Sequence, residues 1–249
     1  MRTRGFKLAT IAVALVVFLL AGTGYAKQVL RVGTDPTYEP FENKDDKGNF
    51  YGFDIDLMRM IGEELGMEVH FQSVSWDGII PGLQNGNYDC LISAMTITKE
   101  RQAMINFSDP YFRAGQLILV RRSNTTIKSA KDLAGKTIAV QNGTTADLEV
   151  SKIKGTRVKR FGTNPEAILE LKNGGADAAV MDDFVARRAA QRNPDLKLVS
   201  DEPFTAEYYG IGVRKGNDKL LEMINKALAT LKKNGKLDAL YDRYFGRDK

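Results

Sequence analysis

The chain has 249 residues, 43% hydrophobic and 27% charged. That is the composition of an ordinary globular protein with room for one large core or two smaller ones. Its formal charge of +5 drops by three once Arg2, Arg4 and Lys7 are set aside in an N-terminal leader, which excludes the dense basic footprint of a nucleic-acid binder. A single cysteine, Cys90, excludes an internal disulfide, and a single histidine, His70, leaves no metal-ligand cluster and no ready Ser/His/Asp set.

Residues 1–26 read as a basic start (MRTRGFK), an apolar run (LATIAVALVVFLLAG) and small residues at Gly24 and Ala26. This is the pattern of a cleaved secretory signal peptide; a retained membrane anchor is the alternative. No cysteine near the cleavage site would carry a lipid anchor. Gln28–Gly33 (QVLRVG) alternates like a first strand. It runs into Thr34–Phe41, where Pro36 and Pro40 predict a rigid extended loop carrying Asp35 and Tyr38. Asp35 before a proline is also ordinary turn chemistry. ENKDDKGN predicts a polar hairpin turn.

In GFDIDLMRMIGEELGM, Phe53, Leu57, Ile61 and Leu65 recur at helical spacing, and Gly66 predicts the stop. A short strand is expected over MEVHFQSV, then a turn, a short helix from Trp76 and a loop. CLISAM reads as a buried strand that contains Cys90 and delivers Thr96-Ile97-Thr98-Lys99-Glu100-Arg101 at its end. Thr98 is a natural N-cap. A hydroxyl, helix-start N–H groups and a guanidinium therefore converge at one junction, a receptor for a carboxylate. A solvated helical arginine is the bland alternative.

Gln116–Arg121 is a predicted strand, followed by a polar loop with a short helix. Lys136–Gln141 is another strand, feeding Asn142-Gly143-Thr144-Thr145 and the helix ADLEVSKI. Thr144 or Thr145 caps that helix, binds a ligand, or does both. RVKRF is a strand. NPEAILELKNGG is a helix started by Pro165 and stopped by Gly174. ADAAVMDD is a buried strand ending in Asp182 and Asp183, with Asp183 expected to cap the next helix. LKLVSD and AEYYGIGVRKG return the chain. Leu220, Leu221, Ile224, Leu228 and Leu231 mark an amphipathic helix, and Gly235 separates it from a last helix, LDALYDRYFG. The βα alternation makes the protein α/β.

GFDIDL, SWDGIIPGL, YDCLISAMTIT-x-x-R and INFSDPYF stand in one order at close spacing. Together they resemble the periplasmic amino-acid-binding proteins of ABC importers, a family with glutamine-, arginine- and lysine/ornithine-binding members. The resemblance covers nearly all of the chain after residue 26. It implies a two-lobed periplasmic-binding-protein fold of type II with a hinge: a discontinuous first lobe of 27–114 and 208–249, and a second of 115–207. It implies a monomer in the periplasm, an ABC permease partner, and no cofactor, metal or nucleic acid.

The resemblance also implies residue roles for an L-α-amino acid. Arg101, the Thr96 hydroxyl and the backbone at Ala94 and Thr145 would hold the α-carboxylate. Asp182, helped by the Ala94 carbonyl, would hold the α-ammonium. Trp76 would stack on the side chain, whose polar end Asp35 and Tyr38 would receive. Ala94 stands where many relatives have glycine, serine or threonine. Gln141 stands where glutamine-binding relatives often have a lysine, so Asp35 is left uncompensated, and a basic ligand such as arginine or lysine is expected over glutamine. A dehydratase resembling cyclohexadienyl dehydratase is the enzymatic alternative on this fold.

Overall fold

The structure, a computed structural model, describes residues 28–246; the expected leader lies outside the described residues. Two five-stranded sheets organise the molecule. In the first, the order is Glu68–Ser73, Val29–Thr34, Cys90–Leu91, Gly212–Val213, Asn106–Phe107. In the second it is Arg157–Phe161, Thr137–Gln141, Ala178–Asp182, Gln116–Arg121, Leu196–Leu198. Each sheet has three parallel strands followed by antiparallel ones. Both halves thus build the same topology, although no repeat is visible in the sequence. No helix among the described residues is long and apolar enough to cross a membrane.

The helices cover the sheets with the faces their periodicity predicts. Phe53–Leu65 buries Phe53, Leu57 and Ile61. It ends at Gly66 with φ 66°, while Met67 N–H reaches back to Gly62 O at 2.8 Å. Only a residue free of a Cβ adopts that left-handed turn without strain. Asp218–Lys233 buries Leu220, Ile224, Leu228 and Leu231, whereas Leu221 is only half-buried.

Three local expectations are corrected. CLISAM is not one strand: only Cys90–Leu91 pairs, because the backbone turns into the left-handed region at Ala94, φ 43°. Thr34–Phe41 is not wholly loop, since Thr34 ends the first strand and Thr37–Tyr38 pairs with Glu42–Lys44. Asp183 is not the cap: it is the first residue of helix Asp183–Arg192, and Asp182 holds the cap position without a side-chain capping bond, its carboxylate being turned into the cleft instead.

The chain passes from one sheet to the other through an antiparallel ribbon of Phe112–Ala114 and Glu207–Tyr209. An aromatic cluster packs on this ribbon. Phe112 stacks on Tyr209 with ring centroids 5.5 Å apart and meets Phe41 edge-on at 4.9 Å. Phe184 and Phe245 join it from the helix Asp183–Arg192 and from the last helix, Lys236–Phe245. The core is therefore continuous beneath the cleft, on the ribbon side.

Candidate functional site

The carboxyl ends of the parallel strands in both sheets face one another, as expected for ligand sites in open α/β sheets. Between them lies a narrow cavity walled by residues of both halves. All ten residues singled out in the sequence line this cavity, together with Glu42 and Ser93.

Arg101 sits on Lys99–Met104, a helix of six residues capped by Thr98, whose side chain accepts Arg101 N–H at 3.2 Å. That N–H is consequently not free for a ligand, and so short a helix adds little dipole. The guanidinium is the group of Arg101 that reaches the cavity. It is 6% exposed and donates to Thr96 O at 2.8 Å and to Gly143 O at 3.3 Å, the latter from the opposite sheet's side. Burial lowers its pKa, and the nearby Asp182 and Glu207 oppose that shift; guanidinium stays protonated regardless. Trp76, expected to stack on a ligand, lies 5.1 Å from the Arg101 Cζ, close enough for a cation–π contact that holds the fork in place.

Across the cavity, Asp182 ends the buried strand Ala178–Asp182 and is 5% exposed. It accepts from Gln116 Nε2 and from the Tyr209 hydroxyl. Burial, reinforced by the charge of Glu207, pushes its pKa up to about 6. Glu207 was not foreseen from the sequence, yet it holds the site together. Its Oε2 accepts the Thr96 and Thr145 hydroxyls at 2.8 and 2.7 Å. Its Oε1 accepts Gln116 Nε2 at 3.1 Å and Thr205 Oγ1 at 2.9 Å. The Thr96 hydroxyl expected at a ligand carboxylate thus donates to Glu207, as does the hydroxyl of Thr145, whose backbone was the expected contact.

At the other end, Asp35 accepts Thr37 Oγ1 at 2.9 Å and Gln141 Nε2 at 3.5 Å, while its N–H donates to Ser93 Oγ at 3.0 Å. Asp35 therefore has hydrogen-bond partners but no cation, and burial raises its pKa. Gln141 also donates to Gly162 O at 3.0 Å and accepts Asn164 Nδ2 at 3.0 Å, so its side chain is fixed. Burial, with the charge of Asp182, lifts the Tyr38 hydroxyl well above its ordinary pKa, keeping it a neutral donor. Thr144 caps the second-sheet helix through Asp147 N–H at 3.3 Å, and Thr145 is the first residue of that helix; capping and lining coexist.

The Ala94 backbone is where the structure departs most from expectation. Its N–H is already spent on Asp54 Oδ2 at 2.7 Å, so it cannot hold a carboxylate. Glu42, Ser93, Asp54, Gln116 and Glu207 are the site residues that sequence reasoning missed. Each is an unremarkable polar residue in its local string, and only the pairing of distant segments brings them together. The cavity carries acids at Asp35, Glu42 and Asp182 against one cation, Arg101.

Residues 30–247 match the bacterial extracellular solute-binding proteins, family 3. A probable histidine-binding protein of Neisseria gonorrhoeae is 37% identical over 227 residues, covering 89% of this chain and 84% of the relative. An ancestral arginine-binding protein bound to arginine superposes with TM-score 0.85 at 48% identity, over 88% of this chain and 99% of the other. An ancestral arginine-binding protein bound to glutamine gives TM-score 0.83 at 48% identity, over 89% and 99%.

Proposed function

This chain belongs to family 3 of the bacterial extracellular solute-binding proteins, and from that premise we propose that it captures a basic L-amino acid, arginine or lysine, and delivers it to an ABC permease. The carrying observation is the charge of the cavity: one buried guanidinium, Arg101, and a surplus of buried carboxyls. Arg101 takes the ligand α-carboxylate and Asp182 the α-ammonium. That matches the zwitterion and leaves Asp35, which a cationic side chain neutralises. Desolvating such a side chain without a counter-charge is costly, so Asp35 decides the preference. Thr96, Thr145 and Tyr38 complete the walls.

The lobes are 27–114 with 208–249, and 115–207, and they close about the ribbon of Phe112–Ala114 and Glu207–Tyr209 as a hinge. The leader is removed, and the mature monomer works in the periplasm. The site binds without turnover. A dehydratase would need a cleft acid poised over a leaving group and an Asp182 that no longer serves an amine, whereas Arg101 and Asp182 both line the cavity as a set for a zwitterion.

Glutamine is the second reading, favoured by the glutamine-bound ancestral relative. Calorimetry on protein unfolded and refolded to strip ligand, titrated with the twenty amino acids, separates the two. Arginine or lysine is expected to bind most tightly. Asp35→Asn then costs a basic ligand more than the ~0.5–1.5 kcal/mol of a neutral hydrogen bond and raises the ratio of glutamine to arginine affinity. Wild-type protein that ignores arginine and lysine while binding a neutral amino acid tightly overturns the charge argument. Turnover of a cyclohexadienyl dehydratase substrate overturns the assignment as a binding protein.

A further inference from the structure

We infer that Glu42 and Asp54 hold one proton between them, and that this shared proton makes the pair the positioning element for Ala94 and Asp35. Glu42, on the strand Glu42–Lys44, is 1% exposed, and Asp54, in the first turn of the helix Phe53–Leu65, is fully buried. One oxygen of each is accounted for. Glu42 Oε1 accepts Ser93 Oγ at 2.8 Å, and Ser93 Oγ in turn accepts the Asp35 N–H. Asp54 Oδ2 accepts the Ala94 N–H at 2.7 Å and the Tyr111 hydroxyl at 2.8 Å. The remaining oxygens, Glu42 Oε2 and Asp54 Oδ1, are buried and have no donor among the described residues.

Two adjacent buried carboxylates with unmet oxygens are costly twice over, through desolvation and repulsion. A single O–H from one carboxyl to the other meets both oxygens and removes one charge. The surroundings favour keeping that proton. Asp35, Tyr38 and Tyr111 are the titratable side chains that face the pair, and none is cationic. Burial, then the charge of Asp54, pushes Glu42 well above the usual carboxylate range, and burial raises Asp54 as well.

From this bond two short chains run to the site. One goes through Ser93 to the Asp35 backbone, the other directly to Ala94, whose φ of 43° is disfavoured for any residue with a Cβ. The Asp54 carboxyl bond to its N–H keeps Ala94 there. Loss of the shared proton would put two negative charges beneath Asp35 and loosen both chains.

The first test needs no ligand, so it stands or falls independently of the amino-acid reading. Infrared difference spectra at about pH 7.5, well above ordinary carboxyl pKa values, should show the C=O stretch of a protonated carboxylic acid. Glu42→Gln and Asp54→Asn, each supplying an N–H in place of the shared proton, should each remove that band; either variant decides the matter if the other fails to fold. Denaturation midpoints should also be compared between wild type and these variants. A folded-state pKa raised above the unfolded one gives stability that is lost as pH rises through it, so wild type should lose ground to the amide variants on the alkaline side. For positioning, Glu42→Leu should weaken L-arginine binding by about tenfold or more, and Glu42→Gln should recover most of that loss, because an amide restores both hydrogen bonds. A wild-type spectrum without the band, or a band that survives in both amide variants, overturns the shared proton. Equal arginine affinity in Glu42→Leu and wild type overturns the positioning role.

Discussion

Arg101 and Asp182 bring two kinds of buried charge to the walls of the cavity. Arg101 gives its N–H groups to main-chain carbonyls, which fixes the fork without neutralising it. Removing one partner of a buried charge pair costs ~3–5 kcal/mol, so Arg101→Ala should weaken any accepted amino acid by on the order of 10²- to 10³-fold. Titration calorimetry within about threefold of wild type, roughly half of one pKa unit's worth of energy, would contradict the carboxylate assignment. Asp182 gives the site a pH dependence. Its pKa is raised from 3.8 to about 6, and it must be ionised to meet an ammonium. Affinity should therefore fall as pH drops through about 6, with protons released on binding just below that pH. For the unliganded protein the sign is opposite. The folded state holds a proton that the unfolded chain has lost, so the Asp182 contribution to stability declines as pH rises from 3.8 to about 6. Binding and unfolding curves across that window check both signs.

Among the secondary-structure elements, capping and lining prove separable. Helix Asn164–Lys172 starts with a full capping box: the Thr163 side chain accepts Glu166 N–H, and the Glu166 side chain accepts Thr163 N–H. Neither residue lines the cavity, although their neighbour Asn164 braces Gln141. Thr163→Ala should cost about 0.5–2 kcal/mol of stability, read as a denaturation midpoint, while ligand affinity changes far less. A large affinity loss with unchanged stability would mean that the helix start shapes the site directly. At the helix Thr145–Ser151 the roles overlap: Thr144 spends its side chain on the Asp147 N–H and still lines the cavity.

Over the whole molecule, the opposing halves meet through more than the ribbon. Glu39, beside the first strand's exit, pairs with Arg188 at 3.0 Å and also with Arg192, both on the second-half helix Asp183–Arg192. Burial works against its charge, yet the two arginines prevail and lower its pKa. Asn142 Nδ2 donates to Asp77 Oδ1 at 3.2 Å across the opposite rim. These contacts exist only when the lobes are together, so they favour closure. Solution scattering should show a smaller radius of gyration with saturating ligand than without it. Glu39→Gln should shift the unliganded protein towards larger radii and weaken binding modestly, as a partly exposed pair is worth about 0–1 kcal/mol. An unchanged radius, with binding verified separately, would argue against hinge closure.

The sequence by itself determined the family and most of the elements, but not the end of CLISAM, the pairing of Thr37–Tyr38 or the cap at Asp182. Apolar periodicity, Gly66, Thr98 and the strand-end acids are local signals, since helix faces, caps and turns are written within a few neighbouring residues. It also located ten of the cavity's twelve lining residues, through the strand-end motifs and the family resemblance they carry. Only the tertiary structure decided which hydrogen bonds those residues keep free. The Ala94 N–H is taken by Asp54, 40 residues away in the chain. The Thr96 hydroxyl is taken by Glu207 at a separation of 111. Nothing in a local string ranks such partners, because a buried polar group takes whichever donor or acceptor the fold brings within about 3 Å. The geometry of the site is therefore set by the meeting of distant segments.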